Sequence, residues 1–96
     1  MELSIEEWEW GDGNIEHLAA RGISPELIED EIWQEAPRYN TNRRNRSASY
    51  FMIGPDRSQR SWTICILQVA EDPAIWRAIT GWKSKPYEVA WYRRAR

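Results

Sequence analysis

His17 is the one histidine of this 96-residue chain, and histidine is the side chain best placed to move protons near neutral pH. It lies within Trp10-Gly-Asp-Gly-Asn-Ile-Glu-His-Leu-Ala-Ala-Arg-Gly-Ile-Ser. Asn14, His17 and Arg21 follow i, i+3, i+7 spacing and share a polar helix face, with Ile15, Leu18 and Ala19 on the apolar face beside it. That polar stripe is free for chemistry. His17 has two readings here, proton transfer or a structural hydrogen bond at a helix surface. The stretch punctuates itself. Asp12 is suited to cap the first helix, which is expected from about Asp12 to Arg21, and Gly22 suits the left-handed residue that ends it. Ser24-Pro25-Glu26 then opens a second helix with a capping hydroxyl, a first-position proline and an acid in the first turn.

The remaining elements must carry that stripe. A short first strand is expected over Ile5–Trp10. The second helix runs from Pro25 to Gln34 and stops before Pro37. Arg38–Thr41 reads as an edge strand, Asn40–Ser47 as a polar arginine-rich turn, and Tyr50–Gly54 as a strand. Arg60–Ala70 is the clearest strand, with Trp62, Ile64 and Ile66 alternating against Thr63, Cys65, Leu67 and Val69. Apolar residues on both faces imply a central strand covered on two sides. Ile75–Trp82 follows, with Trp76, Ala78, Thr80 and Trp82 on one face. A last helix opens at Ser84-Lys-Pro86 and carries Tyr87, Ala90 and Trp91 as its apolar stripe. The order β-α-α-β-β-β-β-α predicts a single α+β domain with a twisted antiparallel sheet packed on helices.

Composition narrows the function class. The net charge is −2, but it is divided unevenly. Residues 1–36 hold eleven acids and one base, a charge of −10, and residues 37–96 hold twelve bases and four acids, a charge of +8. Arg38, Arg43, Arg44, Arg46, Arg57 and Arg60 crowd one region, and arginine's planar fork suits phosphate or carboxylate. Either the acidic segment neutralises this region within the molecule, or the region faces an anionic partner. The lone Cys65 allows no internal disulfide and fits a reducing cytoplasm; placed mid-strand, it reads as a small buried apolar residue. Glu2, Glu6, Glu7 and Glu9 are the opposite of a basic signal-peptide start, and no apolar run approaches the roughly 20 residues that span a bilayer. One histidine, one cysteine and scattered acids lack metal-ligand spacing, so neither metal nor cofactor is expected.

The opening stretch resembles the Trp-x-x-x-Asn-x-x-His-Leu-x-x-x-Gly-Ile/Val-Ser/Thr pattern of BrnT-type toxins, small RelE-like ribonucleases of bacterial type II toxin–antitoxin pairs. The resemblance continues through Arg46, Gly54 and Arg60, through Arg77-Ala-Ile-Thr-Gly-Trp-Lys at a strand end, and through Glu88 and Tyr92 in the final helix. It covers most of the chain. Three departures stand out: Trp82 occupies the position of a family arginine, Gly81 replaces an alanine, and no glycine immediately precedes Arg60.

The resemblance implies a toxin that cleaves RNA without metal. Such cleavage needs a base for the 2′-OH, an acid for the leaving 5′-oxygen and cations for the phosphorane. His17 would be base or acid, and Arg46, Arg60 and Arg77 would hold the phosphate. Lys83 or Tyr92 would donate or position a proton. Arg43 and Arg44 would bind RNA, and Trp82 would stack on a base. The implied partners are the RNA substrate and a small DNA-binding antitoxin, as a heterotetramer in the bacterial cytoplasm, with no membrane. The alternative is a non-catalytic interaction or RNA-binding protein of the same fold, acting through its arginine hairpin and exposed aromatics.

Overall fold

The outer edge of one strand organises this molecule. In a computed structural model describing residues 3–42 and 50–94, five strands form one sheet in the order β1-β5-β4-β3-β2. The strands are β1 (Glu7–Trp8), β2 (Arg38–Thr41), β3 (Tyr50–Pro55), β4 (Ser61–Gln68) and β5 (Ile75–Lys83). β2 through β5 pair antiparallel, whereas β1 runs parallel to β5. The sheet is therefore mixed rather than antiparallel throughout, within the α+β class.

The parallel direction has a local cause. β5 carbonyls facing outward need donors. Glu6 and Glu7 N–H groups donate to the Ala74 carbonyl, and Glu9 N–H donates to that of Trp76. The backbone then turns into helix α1 (Asp12–Ala19), and the Asn14 side-chain amide donates to the next outward carbonyl, Ala78, at 2.7 Å. One residue type thus extends a two-residue strand along an edge that would otherwise be open. Only a parallel β1 lets the chain advance along β5 in this way.

α1 ends as its sequence requires. Gly22 takes φ +78°, its N–H donates to Ala19, and Ile23 N–H donates to Leu18, a Schellman closure that buries Leu18 and Ile23. The start differs from expectation. Gly11 holds the cap position and Asp12 is the first helical residue, with no side-chain capping bond. The expected α-helix over Pro25–Gln34 is instead a π-helical segment, Leu27–Ile32. Ser24 Oγ caps Leu27 N–H at 3.1 Å as expected. The wide turn closes with Trp33 N–H on the Ile28 carbonyl, buries Ile28 and Ile32, and sets Trp33 edge-on to Trp8 at 5.9 Å. Glu29 then accepts from the Trp10 indole, and Glu31 from Arg57 N–H.

The core lies between this helical layer and one face of the sheet, and joins Trp8, Leu18, Ile23, Ile28 and Ile32 to Met52, Trp62, Ile64, Ile66, Trp76 and Ala78. The alternation expected along β5 breaks midway. Cys65 pairs with Thr80 but Ile66 with Ala78, so Ile79 is an extra residue. Such a bulge reverses the faces beyond it. Trp76 and Ala78 face the core, then Gly81 does, and Thr80 and Trp82 turn to the opposite side. A Cβ on Gly81 would stand 2.7 Å from Ile64 Cδ1, 2.9 Å from Ile23 Cδ1 and 3.0 Å from the Thr63 carbonyl. An alanine here would force those neighbours to shift. Among the described residues no helix is long and apolar enough to cross a membrane.

Because the Thr63 carbonyl belongs to a ladder and cannot retreat, Gly81→Ala should destabilise the fold by about 1–3 kcal/mol. Urea unfolding checks this, and an unchanged midpoint would contradict the packing described.

Candidate functional site

The C-terminal helix, α2 (Pro86–Arg94), crosses the other face of the sheet and makes a groove of about 810 Å³ there. Phe51, Cys65, Thr80 and Trp82 form its floor, Glu88 and Trp91 one wall, and Asn40–Asn42 the other. Ser84 anchors the start of α2 to β4 through Ser61 Oγ (2.9 Å) and Thr63 Oγ1 (2.8 Å). Lys85 is the cap, since its carbonyl accepts the first helical bond from Val89.

Glu88, three residues on, returns half of a capping box: its Oε1 accepts Lys85 N–H at 2.7 Å. The same oxygen accepts the Trp82 indole N–H at 3.0 Å, while Oε2 shares that donor at 3.3 Å. One carboxylate, only 5% exposed, thus joins helix to strand. Lys85 Nζ lies 5.7 Å over the Trp82 ring, and Phe51 meets that ring edge-on at 6.1 Å. The expected apolar stripe of α2 is displaced accordingly. Glu88 is buried, Trp91 half-buried, and Tyr87 projects at 66% exposure.

Cys65, on the groove floor, is pushed up to about 11, first by burial and next by the Glu88 carboxylate, against a smaller opposing pull from Arg21. It stays a thiol at neutral pH, as its mid-strand position suggested.

His17 reaches this site from the edge. Its Nε2 lies 3.1 Å from Thr80 Oγ1, and Thr80 lines the groove. Trp82 lines it too, as do Lys85 and Arg94. The other sequence-marked residues are placed elsewhere. Arg60 pairs with Asp56 at 3.3 Å, and it precedes β4 five residues before Cys65, roughly 16 Å along a strand. Arg77 is ion-paired with Glu9. Lys83 is exposed at the end of β5, on the side opposite Trp82. Tyr92 donates its hydroxyl to the Ala36 carbonyl at 3.1 Å. Arg43, Arg44 and Arg46 lie outside the described residues. Trp82 therefore lines the groove, His17 touches it only through Thr80 without lining it, and Arg60, Arg77, Lys83 and Tyr92 do not line it. Among the described residues no group of His, Cys, Asp and Glu side chains could hold a metal ion.

Among the described residues the acidic and basic halves are joined by one ion pair, Arg77 with Glu9, while Arg57 meets the acidic segment through its backbone N–H on Glu31 and its guanidinium on the Asp30 carbonyl. Thr80, Lys85 and Tyr87 escaped the sequence reading. The Lys85-x-x-Glu88 capping spacing was the signal available for two groove residues. Comparison with protein families, with curated proteins and with solved structures returned no match to this chain.

Arg60's partner makes a prediction of its own. Asp56 is 1% exposed and accepts from Ser58 N–H (2.8 Å), Arg60 N–H (2.9 Å) and the Trp62 indole (3.0 Å). Burial alone would raise its pKa; those bonds and the Arg60 guanidinium outweigh burial and hold it below the ordinary 3.8. A depressed carboxyl contributes stability that is present above the ordinary value and lost as pH falls through the lower folded one. Stability should therefore decline below about pH 4. Asp56→Ala, which strands three donors, should cost about 3 kcal/mol at pH 7 and flatten that decline. Denaturant titrations at pH 7 and pH 3 measure both effects, and an unaltered acid limb in the variant would assign the effect to other carboxyls.

Proposed function

We propose that this chain is the toxin of a type II toxin–antitoxin pair on a BrnT/RelE-like scaffold, and that it cleaves RNA without a metal ion. The observation that carries the reading is the bond from His17 to Thr80, because it holds the chain's one histidine against a residue that lines a groove bordered by Trp82, Lys85 and Arg94. The element order supports the scaffold, as does Asn14, whose motif position has a defined task at the β5 edge.

In this reading single-stranded RNA lies along the groove with its phosphates toward Lys85 and Arg94. His17 takes the proton of a 2′-OH. The 2′-oxygen bonds to phosphorus as the bond to the 5′-oxygen breaks, and the departing oxygen takes a proton from water. The products are a 2′,3′-cyclic phosphate and a 5′-hydroxyl. RNA supplies its own nucleophile, so no serine or cysteine is required. The protein would act in the bacterial cytoplasm, silenced by a small DNA-binding antitoxin in a heterotetramer.

The purified chain should cut RNA in excess chelator, and His17→Ala should slow cutting by at least about 100-fold. Product ends read by mass spectrometry check the route, and a variant that cuts at the parental rate would remove His17 from it. The second reading is RNA binding without turnover. The intramolecular contacts of Arg60, Arg77 and Tyr92 favour it, since those groups are already occupied. It predicts salt-dependent RNA affinity with no product.

A further inference from the structure

Tyr87 stands out among the described residues as an exposed large apolar side chain, in the first turn of α2 at the lip of the groove. Burying it would have satisfied the helix's apolar stripe, yet the helix buries its neighbour Glu88 instead. Within that carboxylate the two oxygens are unequal. Oε1 is filled by Lys85 N–H at 2.7 Å and the Trp82 indole at 3.0 Å. Oε2 holds only the long 3.3 Å arm of the shared indole bond. The side chain lines the groove, so Oε2 is an acceptor with capacity left, fixed in place by Trp82 and the helix start.

We infer that the groove holds an unpaired guanine, stacked on Tyr87 with its pairing edge turned to Glu88 Oε2. The inference rests on the RNA reading above and names the base. An exposed aromatic ring gives stacking that any base can use. Selection comes from the acceptor. A carboxylate oxygen demands a donor at the centre of the pairing edge, which guanine supplies as N1–H and uracil as N3–H. Adenine and cytosine present a ring-nitrogen lone pair there, and that lone pair faces the negative charge. Uracil flanks its N–H with two carbonyl oxygens, whereas guanine adds the exocyclic amine, a second donor beside the first. Lys85, over the Trp82 ring, stands ready for the adjoining phosphate.

The test uses the whole chain and 2′-O-methyl hexanucleotides, which cannot be cleaved by 2′-OH attack, so binding is read separately from catalysis. Five positions are adenosine and one central position is A, C, G or U. By fluorescence anisotropy the G oligonucleotide should bind at least about tenfold tighter than the A oligonucleotide. Tyr87→Ala should weaken binding of all four by about tenfold. Glu88→Gln keeps a carbonyl oxygen for Lys85 and Trp82 but offers an amide donor to the groove, and it should abolish the preference for G. Absence of a G preference, its survival in Glu88→Gln, or unchanged binding by Tyr87→Ala overturns the inference while leaving RNA binding intact. Failure of every oligonucleotide to bind overturns the RNA reading with it.

Discussion

The extra residue in β5 opposite Cys65 and Ile66 decides which side chains meet in this molecule. Without it, Thr80 and Trp82 would continue on the face of Trp76 and Ala78 and lie in the core. With it, Gly81 takes the core position, where a larger side chain would displace its neighbours, and Thr80 and Trp82 open onto the groove. The bulge is held from both sides. Ile64 and Ile23 close over Gly81, and Glu88 draws the Trp82 indole toward α2. A bulge beside a groove re-aims side chains in the way such irregularities commonly do.

The same strand explains the N-terminal motif. β1 is too short to cover the β5 edge, and Asn14 completes the task with a side chain. Three residues on, His17 reaches Thr80 just past the bulge. Motif and groove are therefore mechanically linked: the helix that seals the edge also delivers the histidine. Arg21 lies on the same stripe, and its charge is felt at Cys65 on the groove floor.

Much of this was legible from residue pattern. The α+β class, the four later strands, the Gly22 closure and the Ser24 cap follow from periodicity and turn chemistry. The buried Trp62, Trp76 and Cys65 follow from strand alternation. What escaped depended on long-range partners. Alternation along Ile75–Trp82 looks unbroken until the β4 pairing inserts Ile79. The apolar spacing of Leu27, Ile28 and Ile32 suits an α-helix in sequence, and the wider turn shows only in the fold, where Trp33 N–H reaches the Ile28 carbonyl and the segment packs against Trp8, Trp10 and Arg57. A parallel β1 cannot be read from six residues. Tyr87 and Glu88 exchanged roles because a carboxylate with two hydrogen-bond donors to satisfy is better buried there than a phenol. For the candidate site, the pattern marked Trp82, which lines the groove, and His17, which bonds to groove-lining Thr80, but could not show that Arg60 and Arg77 have acidic partners inside the fold.

In the proposed reading an anionic ligand engages the groove under α2 and not the acidic helical face. The indole N–H groups offer a direct readout, because Trp62, Trp76 and Trp82 donate to distinct acceptors: the Asp56 carboxylate, the Ser4 carbonyl and the Glu88 carboxylate. In a nitrogen-15 NMR titration with a non-cleavable single-stranded RNA, the Trp82 indole resonance should shift or broaden first, with those of Trp62 and Trp76 stationary. Perturbation of the Trp10 indole, held by Glu29 on the acidic side, with Trp82 unmoved would contradict the account.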